Sequence, residues 1–157
     1  MYGYELSTQT ISNITISKPI ETIDETVEED ITNLDLKVLI VEDNLTNQKL
    51  LGFFLEELNA KFDIASDGIE AIECFQNNKY DIILMDENMP NMNGIEATKI
   101  IREIENNQKL KANIIVAITA NALKGDRERF ISSGMDDYIS KPYSEEDIVR
   151  VLQKYFG

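Results

Sequence analysis

The sequence predicts a doubly wound α/β domain: a five-stranded parallel sheet with strands in the order 2-1-3-4-5, flanked by five helices. Three observations lead there. Continuous apolar runs recur at Val38–Val41, Ile82–Met85 and Ile114–Ile118, which suits strands buried on both faces of a parallel sheet. Stretches of helical period separate them. Two further strand candidates are mixed in character, as the edges of such a sheet are.

The elements follow in order from Leu36. After Val38-Leu39-Ile40-Val41, the residues Leu50, Leu51, Phe54, Leu55 and Leu58 fall on one helical face. Lys61-Phe62-Asp63-Ile64 alternates apolar and polar residues and reads as an edge strand. Ile69, Ile72 and Phe75 form the next helical stripe, and Ile82–Met85 the third strand. Ile95, Thr98, Ile101 and Ile104 mark the third helix, ahead of the strand at Ile114–Ile118. Ala122 to Ser133 is the weakest helix: its apolar positions are Leu123, Phe130 and Ile131, and an internal glycine, Gly125, costs about 1 kcal/mol relative to alanine. Asp137-Tyr138-Ile139-Ser140 is a short, mixed edge strand. The last helix carries Ile148, Val151, Leu152, Tyr155 and Phe156 behind a Ser144 N-cap, with Glu145, Glu146 and Asp147 complementing the helix dipole. Right-handed crossovers put helices on both sheet faces. Phe62/Ile64 and Tyr138/Ile139 at the edges give the order 2-1-3-4-5.

Residues 1–35 differ from the rest. They hold eight acidic residues against one lysine, and Glu21–Asp30 has too little apolar surface to offset the entropy of ordering. We therefore expect residues 1–35 to be an acidic flexible linker or tail, and residues 36–157 to be the folded domain. A strand-like piece at Thr10–Ile16 is a weak exception.

Composition narrows the function. The net charge of −14 argues against nucleic-acid binding, which needs basic surface. No apolar run approaches the roughly 20 residues that span a bilayer, and the first residues lack the order of a secretion signal. The expectation is a cytoplasmic chain without direct membrane contact. The one cysteine, Cys74, has no partner within the chain and reads as a packing residue. The chain contains no histidine, so it has no imidazole of its own for metal binding, proton transfer or phosphoryl transfer.

Ligands of open parallel sheets bind beyond the carboxyl ends of the strands. Strand one is followed there by Glu42-Asp43, strand three ends in Asp86, strand four in Thr119, and strand five is followed by Lys141-Pro142. Taken singly, each has an ordinary explanation as a turn, cap or strand residue. Independent accidents would not gather three carboxylates, a hydroxyl and an ammonium at one crevice. Crowded carboxylates repel unless a cation neutralises them; oxygen ligands without histidine or cysteine indicate Mg²⁺ or Mn²⁺. A carboxylate is also a nucleophile that forms an acyl phosphate, and Lys141 can neutralise charge on a transferring phosphoryl group.

The motifs Val41-Glu42-Asp43-Asn44, Leu84-Met85-Asp86 through Met89-Pro90, Ile118-Thr119-Ala120 and Tyr138-Ile139-Ser140-Lys141-Pro142 resemble those of response-regulator receiver domains. The resemblance covers residues 37–157, about three-quarters of the chain. It implies the flavodoxin-like receiver fold, with Asp86 as phosphoacceptor and Glu42, Asp43, Asp86 and the Asn88 backbone carbonyl as the Mg²⁺ site. It assigns Thr119 and Lys141 to the phosphoryl oxygens and Tyr138, with Thr119, to a conformational switch. It also implies a cis Lys141–Pro142 peptide. Glu42 stands where many members have aspartate, and its extra methylene favours contact with the metal through water.

The implied partner is a histidine kinase or a histidine phosphotransfer domain. The implied function is acceptance of a phosphoryl group in a two-component phosphorelay, with no turnover beyond the chain's own phosphorylation and dephosphorylation. Asn44–Gln48, Met85–Gly94 and Gly134–Tyr138 look most like receivers of hybrid sensor kinases, some of which are membrane-bound. The alternative is a free-standing single-domain regulator. An aspartyl-nucleophile phosphatase of the haloacid dehalogenase type would need a second aspartate two residues after the nucleophile, where this chain has Asn88. A degenerate receiver acting only as a scaffold would usually have lost one of the acidic or lysine positions retained here.

Overall fold

A computed structural model describes residues 35–120, 122 and 126–157. The strands are β1 (Lys37–Val41), β2 (Lys61–Ala65), β3 (Ile82–Asp86), β4 (Ile114–Thr119) and β5 (Asp137–Ser140). The helices are α1 (Leu45–Glu57), α2 (Gly68–Asn77), α3 (Gly94–Gln108), α4 (Asp126–Ser132) and α5 (Glu145–Phe156). The strands form one parallel sheet in the order β2-β1-β3-β4-β5, the order the sequence predicts. The expected tail and the strand-like piece at Thr10–Ile16 fall almost wholly on residues 1–34, outside the described residues.

Alternation along the strands builds two apolar layers. Leu39, Val41, Ile83, Met85, Ile115 and Ala117 join Ala71 and Phe75 of α2, Ala97 and Ile101 of α3, and Phe130 of α4 in one cluster. The alternate residues Val38, Ile40, Ile82, Leu84, Val116 and Ile118 are also buried. The remaining helices cover that second face, α1 through Leu51 and Leu55 and α5 through Ile148, Val151 and Leu152. Each fully buried aliphatic side chain stabilises the fold by about 1.5–3 kcal/mol, so the three central strands hold the strand ends in fixed register.

Three helices differ from expectation. In α1, Leu50 is exposed while Leu51 and Leu55 are buried, because Leu50 lies one residue, about 100° of turn, off the face that Leu51 and Leu55 share. In α2 the buried stripe is Gly68, Ala71 and Phe75, while Ile69 is 49% exposed. Ile69 lies one residue, about 100° of turn, off that face, and small residues at 68 and 71 suit close packing. The fourth helix is described only over Asp126–Ser132, with Phe130 buried and Ile131 exposed. Leu123 and Gly125, expected within it, lie outside the described residues. Ser144 precedes α5, and the Asp147 carboxylate accepts from its backbone N–H at 2.9 Å. Cys74 is a half-buried free thiol. Among the described residues no helix is long and apolar enough to cross a membrane.

One cap ties α2 to the loop that carries the site. The Asp67 side chain accepts from the Glu70 backbone N–H at 2.8 Å and from Asn91 Nδ2 at 2.7 Å. The Glu70 N–H, then Asn91, hold its carboxyl below the usual range. Asp67→Ala is expected to cost about 1 kcal/mol at neutral pH. A carboxyl with a lowered folded pKa contributes stability above its unfolded value, about 3.9, and loses it as pH falls toward the folded value. The gap between wild type and Asp67→Ala in urea midpoint should therefore narrow below pH 4.

Candidate functional site

The site lies at the carboxyl ends of β1, β3, β4 and β5. Just past β1, Glu42 keeps to the sheet through its backbone N–H, which donates to the Ala65 carbonyl at 2.9 Å. The residue is buried. Its Oε2 accepts from the Asn44 N–H at 3.0 Å, and its carbonyl accepts from Gln48 Nε2 at 2.7 Å. Its Oε1 is buried without a hydrogen-bond partner. Asn44 then caps α1 by accepting from the Asn47 N–H.

Asp86 ends β3 and is 2% exposed. The chain turns through 87–93 and re-enters α3 beside it, where Asn93 and Glu96 form a capping box. Gly94 is required by this return, because a Cβ there would lie 2.3 Å from the Asp86 carbonyl oxygen. Asn88 is exposed and reaches the Asp86 carboxyl through its backbone N–H. Across the crevice, the Lys141 backbone N–H donates to the Thr119 carbonyl at 2.8 Å. The Lys141–Pro142 peptide is cis, as the resemblance implies. Lys141 Nζ lies 3.0 Å from Asp86 Oδ1.

Carboxylate oxygens of Glu42, Asp43 and Asp86 lie within 4.8 Å of one another. Burial, reinforced by the Asp86 charge, pushes the Glu42 carboxyl up to about 7, against the pull of the Asn44 N–H. Burial also raises Asp86, against the opposing pull of Lys141. Among the described residues, one ammonium, that of Lys141, faces the three carboxylates, and the buried Glu42 Oε1 lacks a hydrogen-bond partner. This donor set fits a hard divalent cation, which would neutralise the cluster and occupy that oxygen.

The structure thus brings together Glu42, Asp43, Asp86 and Lys141, with the Asn88 backbone beside them. The Thr119 hydroxyl donates to Glu87 Oε1 at 2.8 Å. The other Glu87 oxygen pairs with Arg129 of α4. Glu87 holds the Arg129 guanidinium above its usual range. Tyr138 is half-buried, its ring stacked on Phe130 at 6.3 Å between centroids.

Glu87, Arg129 and Tyr143 were not legible in the sequence as parts of the site. The Tyr143 hydroxyl is buried without a partner. Burial, then the charges of Glu42 and Asp86, push it up to about 12. Its position two residues after Lys141 was the available signal. Glu87 beside Asp86 was the other, but nothing local announces a pairing with a residue 42 positions away.

Comparison with known proteins adds relatives to this geometry. Residues 38–153 match the family model described as response regulator receiver domain. Hybrid signal transduction histidine kinase I of Dictyostelium discoideum is 45% identical over 121 residues, covering 74% of this chain and 7% of the relative. The chain spans 7% to 15% of the length of the curated relatives it matches. The receiver domain of the sensor histidine kinase PA1611 of Pseudomonas aeruginosa was crystallised with magnesium in its active-site cleft. It is 38% identical, with a TM-score of 0.68, covering 78% of this chain and 98% of that one. The receiver domain of Ssk1 of Saccharomyces cerevisiae was solved with the histidine phosphotransfer protein Ypd1. That match has 34% identity and a TM-score of 0.74, covering 77% of this chain and 88% of the matched one.

Proposed function

Because the chain belongs to the response regulator receiver domain family, a signalling family of phosphorelays, we propose that Asp86 is its phosphoacceptor. We read the chain as the receiver part of a cytoplasmic hybrid histidine kinase segment. The observation that carries the site assignment is the Lys141 ammonium held 3.0 Å from a buried Asp86 carboxylate, beside Glu42 and Asp43.

The donor is a phosphohistidine on a partner histidine kinase or histidine phosphotransfer domain, since this chain has no histidine. An Asp86 oxygen attacks the phosphorus, the P–N bond breaks, and its electron pair stays on the departing imidazole nitrogen. The product is an acyl phosphate on Asp86. Lys141 offsets charge on the phosphoryl oxygens, where a preorganised cation acts with little reorganisation. Glu42 (through water), Asp43, Asp86 and the Asn88 carbonyl would hold Mg²⁺ or Mn²⁺, which supplies further charge neutralisation. Thr119 would leave Glu87 to donate its hydroxyl to a phosphoryl oxygen, and Tyr138 would respond. Asn88, an amide, offers no acid for turnover on outside substrates.

The partner must land on the rim of the crevice. Leu45 opens α1 two residues after Asp43 and is 63% exposed, and Phe53 on the same helical face is 55% exposed. That apolar rim suits a protein donor and is irrelevant to a small one.

Transfer from a phosphorylated histidine phosphotransfer protein, followed by radiolabel, tests the reading. Wild type should accept label, and Asp86→Asn should remain folded and accept none. Leu45→Asp should accept label slowly from the protein donor but at the wild-type rate from acetyl phosphate. Equal labelling of Asp86→Asn would overturn the assignment.

A further inference from the structure

Building on the phosphoacceptor reading, we propose that Glu87 and Arg129 form an autoinhibitory latch that holds Thr119 and α4 in the unphosphorylated arrangement. Glu87 follows Asp86 directly, and its side chain is 11% exposed. Both carboxylate oxygens are engaged. Oε1 accepts the Thr119 hydroxyl at 2.8 Å, and Oε2 accepts from Arg129 Nη1. The same carboxylate therefore ties down the hydroxyl expected to move and the helix expected to follow it.

The latch matters because, among the described residues, α4 has few apolar anchors. Phe130 is its one buried residue among those described. Arg129 also packs over the Phe130 ring, 4.5 Å from its centroid, and that ring stacks on Tyr138. A contiguous path thus runs from Glu87 through Arg129 and Phe130 to Tyr138. An anionic phosphoryl group on Asp86 draws the Thr119 hydroxyl away. Glu87 is then left nearly buried, short of a donor and beside a new like charge, which drives its carboxylate outward to water and away from the position where it holds Arg129. Release of Arg129 frees α4 to shift. An element with two arrangements, biased by a single charge pair, is a population switch. In the resting protein the latch lowers the fraction that is competent to react.

Glu87→Gln and Arg129→Gln attack the pair from its two sides; the first keeps an acceptor for Thr119. Each protein is labelled with acetyl phosphate and Mg²⁺, and its amide resonances are recorded before labelling and with beryllofluoride. The latch predicts that both variants, unlabelled, place Phe130 and Tyr138 resonances part-way from resting toward beryllofluoride-bound wild type. It also predicts labelling about three- to tenfold faster than wild type, as removal of a population penalty requires. Resting wild-type resonances and wild-type rates in both variants would overturn the latch while leaving Asp86 as acceptor. A wild-type protein that takes no label at Asp86 would overturn the phosphoacceptor reading and the latch with it.

Discussion

Lys141→Met should slow phosphorylation by acetyl phosphate at least about 100-fold, the usual effect of removing one preorganised donor aimed at developing charge. Methionine keeps much of the apolar stem and removes only the ammonium, which sits 3.0 Å from Asp86 Oδ1. That ammonium is the cation paired with Asp86 in a cluster of three carboxylates. Breaking a fully buried pair costs about 3–5 kcal/mol. Here the loss should be smaller, because the Lys141 side chain is 28% exposed and Glu42, pushed to about 7, can take up a proton. Added Mg²⁺ should recover part of the stability but little of the rate. Quenched time courses read by intact mass give the rate, and urea melts with and without Mg²⁺ give the stability. An unchanged rate would make Lys141 a spectator.

Gly94→Ala should damage both fold and labelling. The new Cβ would lie 2.3 Å from the Asp86 carbonyl oxygen and 2.9 Å from Met85 Cγ. The nearer obstacle is backbone, so the end of β3 or the start of α3 has to move. Overpacking of this kind costs about 1–3 kcal/mol, and more where the backbone cannot yield. The displaced atom belongs to the proposed nucleophile itself, and misplacement by about 1 Å can cost 10²-fold in rate. Gly52→Ala is the matched control: its Cβ meets the Phe62 ring at 3.0 Å, away from the site. It should lose some stability and retain labelling at Asp86. Normal labelling of Gly94→Ala would mean that this close approach is not needed for the chemistry.

The parts of the molecule legible in the sequence are those set by burial and topology. Val38–Val41, Ile82–Met85 and Ile114–Ile118 read as central strands because both their faces are covered, and the mixed runs at 61–64 and 137–140 read as edges. Once the sheet is parallel, strand ends converge, so the sequence alone gathers Glu42, Asp43, Asp86, Thr119 and Lys141 at one crevice. What escaped depends on a side chain's choice of partner. The Thr119 hydroxyl donates to Glu87, whose carboxylate is held by an arginine on α4, and no local pattern around Thr119 announces that partner. The α2 stripe leaves Ile69 exposed because a small residue, Ala71, does the packing there. Tyr143 buries its hydroxyl without a partner, which its sequence neighbours do not announce.

The most direct measurement locates the phosphoryl group chemically. Protein labelled by acetyl phosphate with Mg²⁺ is treated with borohydride, which reduces an acyl phosphate to the alcohol and so converts phosphoaspartate to homoserine. Trypsin places Asp86 in the peptide Tyr80–Lys99 and Asp43 in Val38–Lys49. Homoserine is expected at position 86, dependent on the divalent cation and absent from Asp86→Asn. Reduction at Asp43 or elsewhere, or none in wild-type protein that has been shown to fold and bind Mg²⁺, would contradict it.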